Sequence, residues 1–142
     1  TKGATVNIQN KPILRLPAFI LLSAVILAAC DGSPGNRDPN PFHLPPDGFV
    51  ADKNRGAELF RQNCSACHGQ TGGGSNKGPP LIHKTYSPSH HADLTFHLAV
   101  KNGVRRHHWR FGDMPPQPQV SPEATGHIVA YVRSVQRRAG IE

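Results

Sequence analysis

Cysteine is scarce in this sequence, with three in 142 residues: Cys30, Cys64 and Cys67. A structural zinc site requires four ligands, so the thiols alone do not form one, although nearby histidines could complete it. A thioredoxin-like CxxC pair follows a strand in a βαβ unit, and no strand pattern precedes Cys64. The pair Cys64 and Cys67 therefore points to another use of two thiols.

Three other classes of protein are disfavoured by what the chain lacks. Its longest apolar run, residues 16–29, has 14 residues, which is short for a membrane-spanning helix of about 20 residues. The glycines at 72–74 lack the GK[ST] ending and the preceding strand of a phosphate-binding loop. The formal charge is +7, yet no nucleic-acid-binding module is recognisable.

The residues at 64–68, Cys-Ser-Ala-Cys-His, match the attachment site of a c-type haem. Thiols three positions apart can each bond one of the two vinyl groups on one porphyrin edge. One helical turn then sets His68 beneath the iron, where its imidazole serves as an axial ligand. The sequence therefore predicts one haem c, held covalently by Cys64 and Cys67.

Met114, the only methionine, is the predicted second axial ligand of the haem iron. It lies beside Pro115 in a loop, where a rigid backbone can hold a thioether against a haem face, and thioether ligation favours Fe(II) and raises the potential. A lone methionine is otherwise often core filler. His107 and His108 are the leading rivals because they share its loop. The other histidines are more often structural: His43, His83, His90, His91, His97 and His127.

Three helices are predicted from capping residues and apolar spacing. The first covers residues 53–63, the second covers residues 91–102, and the third begins after Ser121 and extends to about residue 138. An apolar stripe on the third helix is expected to pack across Gly56 and Phe60. We expect an all-α fold of about three to five short helices around the haem, with the long loops between them wrapping it.

Several motifs in order resemble a class I (mitochondrial-like) bacterial cytochrome c over about residues 52–138. The resemblance implies a cytochrome c fold whose first and last helices cross near a right angle, and an electron carrier rather than an enzyme. It also implies that the Pro79 carbonyl accepts a hydrogen bond from the His68 ring. Beside the pentapeptide, the motifs are Gly56-Ala57-Glu58-Leu59-Phe60, Gly78-Pro79-Pro80-Leu81, Met114-Pro115-Pro116 and the aromatic helix around Tyr131. The partners of the haem propionates stay open among Tyr86, Trp109, Arg105, Arg106 and Arg110.

The N-terminal residues 1–29 are predicted to be a signal peptide. Residues 1–15 carry three basic and no acidic residues before the apolar run, as export signals do. The following Leu27-Ala28-Ala29-Cys30 resembles the lipobox of bacterial lipoproteins, which implies cleavage before Cys30 and acylation of its thiol. An ordinary cleaved signal and an uncleaved anchor are the alternatives.

Residues 30–52 are predicted to form a Pro-rich tether, and residues 53–142 the cytochrome c domain. At about 3.1 Å per residue, the 22 residues from 31 to 52 would span at most roughly 70 Å. The alternative is a strap that packs on the domain through Phe42, Leu44 and Phe49.

The charge of the domain and the lipid anchor together predict a function. Residues 53–142 carry 12 lysines and arginines against 5 acidic residues, which favours a redox partner with an acidic docking surface; a solvated surface without a partner is the alternative. We expect a one-electron carrier between respiratory or photosynthetic membrane complexes, lipid-anchored to the bacterial cell membrane and facing the periplasm. The alternatives are a fixed haem subunit of a larger redox complex and a peroxidase-like or sensor haem protein.

Overall fold

The computed structural model describes residues 1, 3 and 38–142. Of these, Asp38–Glu142 form one compact unit. The predicted signal peptide, the lipidation of Cys30 and the first part of the tether lie outside the described residues.

Four α-helices make up the compact unit: α1 at Lys53–Asn63, α2 at Ser65–His68, α3 at Asp93–Asn102 and α4 at Pro122–Arg138. A short 3-10 turn covers Lys84–Tyr86. Within residues 38–142 the only β-type pairing is one antiparallel bridge, between Val104 and Met114. The predicted all-α fold is confirmed.

The helix ends follow from local capping, as the sequence predicts. The Asp52 carboxylate accepts hydrogen bonds from the backbone N–H groups of Asn54 and Arg55, at 2.7 and 3.4 Å. The Ser121 hydroxyl accepts one from the Ala124 N–H at 3.2 Å, and Pro122 occupies the first turn of α4. These side chains satisfy N–H groups that have no partner inside the helix.

The predicted start of the second helix is wrong by two residues, since this helix, α3, begins at Asp93 rather than at His91. The His91 N–H bonds the Ser87 carbonyl in a preceding turn. The His91 carbonyl accepts from the guanidinium of Arg133, far along the chain in α4. A long-range contact therefore holds this residue outside the helix.

The core is built where α1 crosses α4. Gly56 is buried against the α4 backbone, and Phe60 is fully buried with its ring centroid 5.3 Å from that of Tyr131. The buried apolar cluster joins Phe60 to Val100 of α3, to Val120 before α4, and to Ile128 and Val132 of α4. The predicted stripe on the last helix thus faces Gly56 and Phe60.

Arg133 is a buried cation that holds α4 to the chain preceding α3. Its guanidinium donates to the Asp93 carboxylate and to the Tyr86 carbonyl, each at 2.7 Å, and to the Gln136 side-chain oxygen at 2.6 Å. Gln136 in turn donates to the carbonyls of Leu81 and Tyr86, at 2.8 and 3.0 Å. A buried charge is tolerated only when it is paired in this way.

The described part of the predicted tether, residues 38–52, lies against the helices. The His97 ring donates to the His43 carbonyl at 2.7 Å, and the His43 ring donates to the Val120 carbonyl at 2.9 Å. The Phe49 ring lies 4.8 Å from the His127 ring. Of the other two proposed anchors, Phe42 is 52% exposed and Leu44 is 43% exposed. The strap is therefore held on the helices by hydrogen bonds and by packing of the Phe49 ring. The domain boundary at residue 53 stays a prediction.

In the described part of the chain, no helix has the length and apolar character that a membrane span requires.

The crossing of α1 and α4 predicts that Gly56→Ala is strongly destabilising. A methyl group at this position would lie 1.9 Å from the His127 carbonyl oxygen and 2.9 Å from the Tyr131 Cβ, so the helices must separate. We expect the free energy of unfolding to fall by about 2–3 kcal/mol, measured by chemical denaturation of the haem-loaded protein. Gly73→Ala is the control, because the nearest atom would be 4.0 Å away. Equal stability of the two variants would contradict the crossing.

Candidate haem-binding site

A cavity of about 480 Å³ lies between the helices and the two long loops. Its volume and mostly apolar lining are typical of a cofactor site. The lining includes Phe60, Leu81, Phe96, Leu98, Val100 and Ile128. Cys64, Cys67, His68 and Met114 all reach this cavity. A second hollow of about 680 Å³ beside the strap is more open to solvent, and none of those four residues lines it.

The pentapeptide is held at the cavity wall by α1 and α2. The Cys64 N–H donates to the Phe60 carbonyl at 2.8 Å, so α1 runs directly into the pentapeptide. The His68 N–H donates to the Cys64 carbonyl at 2.9 Å, which closes one helical turn. Cys64, Cys67 and His68 therefore line the same cavity from one short helix.

The chemistry of Cys64 disfavours the zinc and thioredoxin-like alternatives. Burial raises the pKa of the Cys64 thiol to about 11, and the neighbouring Cys67 adds to this rise. The raised pKa makes the thiolate, which zinc ligation and disulfide exchange use, harder to form. Within the described residues both Cys64 and Cys67 are outside any disulfide, so both sulfurs are available to a covalent partner.

The imidazole of His68 is oriented by a hydrogen bond from its Nδ1–H to the Pro79 carbonyl, at 2.9 Å. Because a carbonyl can only accept, Nδ1 carries the proton and Nε2 is left with a lone pair. Burial lowers the pKa of His68, and the bond to Pro79 offsets part of this shift. The neutral ring with a fixed tautomer is the form that binds a metal.

The loop that carries Pro79 is folded back on α2 by backbone contacts. The Gly74 N–H donates to the His68 carbonyl at 2.8 Å, and the Ser75 hydroxyl donates to the Cys67 carbonyl at 2.6 Å. The Leu81 N–H donates to the Gly72 carbonyl at 2.7 Å. This loop thereby positions the Pro79 oxygen and covers one side of the cavity.

Met114 reaches the cavity from the loop between α3 and α4. Val104 and Met114 exchange two backbone hydrogen bonds, each 2.9 Å long. Gly103 precedes this pair with φ 73° and ψ −177°, a conformation that is nearly restricted to glycine. The pairing and the glycine together fix the backbone that presents the thioether.

The rival histidines occupy different places. His91, His107 and His108 line the cavity, and His107 and His108 are exposed to solvent. The other five do not line it: His43, His83, His90, His97 and His127. Sequence reasoning treated the histidines one by one and missed a cluster of four, His90, His91, His107 and His108, whose rings meet at the rim. The paired spacing of 90/91 and 107/108 was the available signal.

Trp109 provides a test of whether the cavity fits a haem. Its indole N–H is buried and makes no hydrogen bond of acceptable geometry within the described residues. Burial raises the pKa of Tyr86, and the nearby indole of Trp109 offsets part of the rise. Unpaired buried donors are rare, so this N–H fits a cofactor with an acceptor such as a propionate. Of the predicted propionate partners, Tyr86, Trp109 and Arg106 line the cavity, whereas Arg105 and Arg110 do not.

The donor set as a whole fits a covalently attached haem. Two thiols, one oriented imidazole and one thioether line a single apolar cavity. These residues could bind a porphyrin edge and both axial positions of its iron.

Comparison with known proteins gives one family. A family model described as Cytochrome c matches residues 54–136, which is more than half of the chain. No curated protein matches the sequence.

The loop geometry predicts that Gly103→Ala displaces Met114. The added methyl group would lie 2.4 Å from the Met114 carbonyl oxygen and would also require a strained positive φ. We expect a loss of about 2–3 kcal/mol in the free energy of unfolding and a weaker near-infrared band of methionine–iron ligation. Gly112→Ala is the matched control, because it has φ 94° but open space around its Cβ. If the two variants kept equal bands, Gly103 would have no part in placing Met114.

Proposed function

The chain belongs to the cytochrome c family, and from this we propose that it is a membrane-anchored, monohaem, one-electron carrier on the periplasmic side of the bacterial cell membrane. Membership means that its cofactor is covalently bound haem c and that its activity is haem-based electron transfer. The anchoring, the side of the membrane, the single haem and the individual ligands are the parts that we infer.

The observation that carries the proposal is the convergence of Cys64, Cys67, His68 and Met114 on one apolar cavity. Bound haem supplies an iron centre that accepts and releases one electron. We assign the thioether bonds to Cys64 and Cys67 and the two axial positions to His68 and Met114. Pro79 orients the His68 ring through the Nδ1–H bond, and outer contacts of this kind tune the iron.

The closed ligation that we propose would suit a carrier rather than an enzyme. With Met114 on the iron, no coordination position is left for a substrate or for peroxide. The apolar lining would limit the access of water to a bound haem, and burial of a haem is one of the factors that set its potential. The peroxidase-like and sensor alternatives require Met114 to be away from the iron.

Met114→Ala tests this ligand assignment. We expect the oxidised variant to lose the near-infrared methionine–iron band and the reduced variant to bind carbon monoxide at once. Its reduction potential should fall by on the order of 0.1 V, well within the range of about 0.8 V that axial ligands cover.

The control for this experiment is the double variant His107→Gln/His108→Gln, which removes the rival ligands and should keep the band. An unchanged spectrum of Met114→Ala, or absence of the band from the wild-type protein, would assign the sixth position to another residue.

Basic residues at the cavity rim support a partner with an acidic surface. Lys77 and Arg106 line the cavity and are exposed, and Arg105 and Arg110 are exposed in the same loop as Arg106. Opposite charges steer a partner toward the rim during diffusional encounter. We therefore propose that docking occurs at this rim, so that electrons enter and leave near the arginine-rich loop.

The anchor that we propose is an acylated Cys30, with several acyl chains giving stable membrane binding. The contacts of the strap limit how far the domain can then move. With residues from Asp38 onward held on the domain, eight residue steps separate Cys30 from the first residue held in this way. At about 3.1 Å per step these reach roughly 25 Å, in place of roughly 70 Å for a free tether.

The short reach favours a second candidate function, a fixed haem subunit of a larger redox complex. Two apolar side chains of the strap, Phe42 and Leu44, are 52% and 43% exposed. They would be available for contact with a neighbouring subunit. The electron-transfer chemistry of the domain is the same in both cases. The two candidates differ only in whether docking is renewed at each turnover.

Oxidation of the reduced protein by native membranes separates these candidates. A carrier that docks anew should react more slowly as ionic strength rises from 0.01 to about 0.15 M, where the screening length falls from about 30 to 8 Å. It should also separate from membrane complexes in mild detergent. A rate independent of salt, with copurification at fixed stoichiometry, would instead establish the fixed subunit.

A further inference from the structure

Four imidazoles meet at the rim of the cavity, two from the turn before α3 and two from the loop after it. The ring centroids of His90 and His91 are 4.7 Å apart, those of His91 and His108 are 5.1 Å apart, and those of His90 and His108 are 5.3 Å apart. Each of these three residues has one ring nitrogen that lies within 4.8 Å of a ring nitrogen of both other residues. His107 adjoins them, with its ring 4.2 Å from that of His108.

We propose that His90, His91 and His108 form a binding site for a divalent transition-metal ion, separate from the haem iron. Haem function does not require such a site, and His90 does not line the haem cavity. The proposal therefore goes beyond electron transfer. Because His91 and His108 also line the haem cavity, it rests on the proposed ligation of the iron by Met114 rather than by His108.

The orientation of His91 is that of a metal ligand. Its Nδ1 lies 2.6 Å from the Thr85 carbonyl oxygen. Because the carbonyl only accepts, Nδ1 bears the proton and Nε2 is left as the coordinating atom. Metal-bound histidines almost always donate their other ring N–H to a carbonyl or carboxylate in this way.

The backbone that presents the ligands is also held in place. The N–H groups of His90 and His91 both donate to the Ser87 carbonyl, at 3.0 and 2.8 Å, and the buried Arg133 binds the His91 carbonyl. The rings of His90 and His108 are exposed and make no hydrogen bond within residues 38–142. These free rings can rotate to bring their nitrogens closer together. The distance has to fall from at most 4.8 Å to about 3.3 Å, the separation of tetrahedral ligand nitrogens that lie 2.0–2.1 Å from zinc.

The donor set selects the kind of ion. Three imidazoles without a carboxylate favour Zn²⁺, Ni²⁺ or Cu²⁺ over Mg²⁺ or Ca²⁺. The nearby Arg105 and Arg106 are exposed cations, so the affinity has to come from coordination bonds rather than from the net charge. We expect three protein ligands and a water at the fourth position, the geometry of an open zinc site.

Calorimetric titration of the oxidised, haem-loaded full chain with Zn²⁺ tests the site. The protein must carry no polyhistidine tag, and Zn²⁺ is chosen because it has no redox chemistry that would change the haem iron. We expect one equivalent to bind, and no heat of binding from Mg²⁺. His90→Gln and His108→Gln should each weaken the affinity at least about tenfold. His107→Gln, the neighbouring imidazole outside the ligand set, is the matched control and should retain the affinity.

Three results would overturn the proposal: no stoichiometric binding by the wild-type protein, unchanged affinity in His90→Gln and His108→Gln, or an equal loss in His107→Gln. The rings of His90 and His108 are exposed, so their substitution should leave the fold unchanged. The haem absorbance of each variant verifies that the cavity is intact. A second measurement uses Cu²⁺, whose electron paramagnetic resonance spectrum should carry nitrogen couplings from imidazole. Absence of these couplings at one equivalent would contradict the site in a way that does not depend on variants.

Discussion

The close approach of α1 and α4 at Gly56 is the contact on which the rest of the geometry depends. With only hydrogen at this position, the His127 carbonyl and the Tyr131 side chain can pack directly on α1. Because α1 continues without a break into Cys64, the crossing also sets the direction of α2. The wall that presents two thiols and an imidazole is thus a consequence of a single helix crossing.

The other end of α4 sets the opposite boundary of the cavity. Arg133 is only 6% exposed, and a guanidinium buried to this degree must have its donors paired. It meets this requirement with the Asp93 carboxylate and with backbone carbonyls of Tyr86 and His91. One buried charge therefore holds the chain that carries both the Tyr86 wall of the cavity and half of the histidine cluster.

The electrostatic environment inside the cavity differs from that at its exposed rim. Inside, burial raises the pKa of the Cys64 thiol and lowers the pKa of His68, and both shifts favour the neutral form of the group that faces the cavity. Outside, the same loops carry exposed arginines and histidines. Arg106 belongs to both regions, because it lines the cavity and is also exposed at the rim.

Much of the fold and of the site was predictable from the sequence because the deciding interactions are local. The caps at Asp52 and Ser121 act within three residues, the pentapeptide needs one helical turn, and the apolar stripe of α4 follows helical spacing. The all-α fold and the covalent haem c followed from these patterns and are confirmed. The roles of Cys30, Met114 and the individual haem ligands stay predictions.

The features that could not be predicted depend on contacts between residues far apart in the chain. The start of α3 was misplaced because Arg133, 42 residues away, binds the His91 carbonyl. The strap is held by two hydrogen bonds whose partners are 54 and 77 positions apart in the chain. The meeting of His90 and His91 with His107 and His108 depends on two loops that pack at one rim. The cofactor chemistry and the approximate positions of the helices could be inferred from the sequence because they depend on interactions within a turn or two. The Trp109 indole N–H, which has no hydrogen-bond partner within residues 38–142, and the histidine cluster both depend on distant segments that the fold brings together.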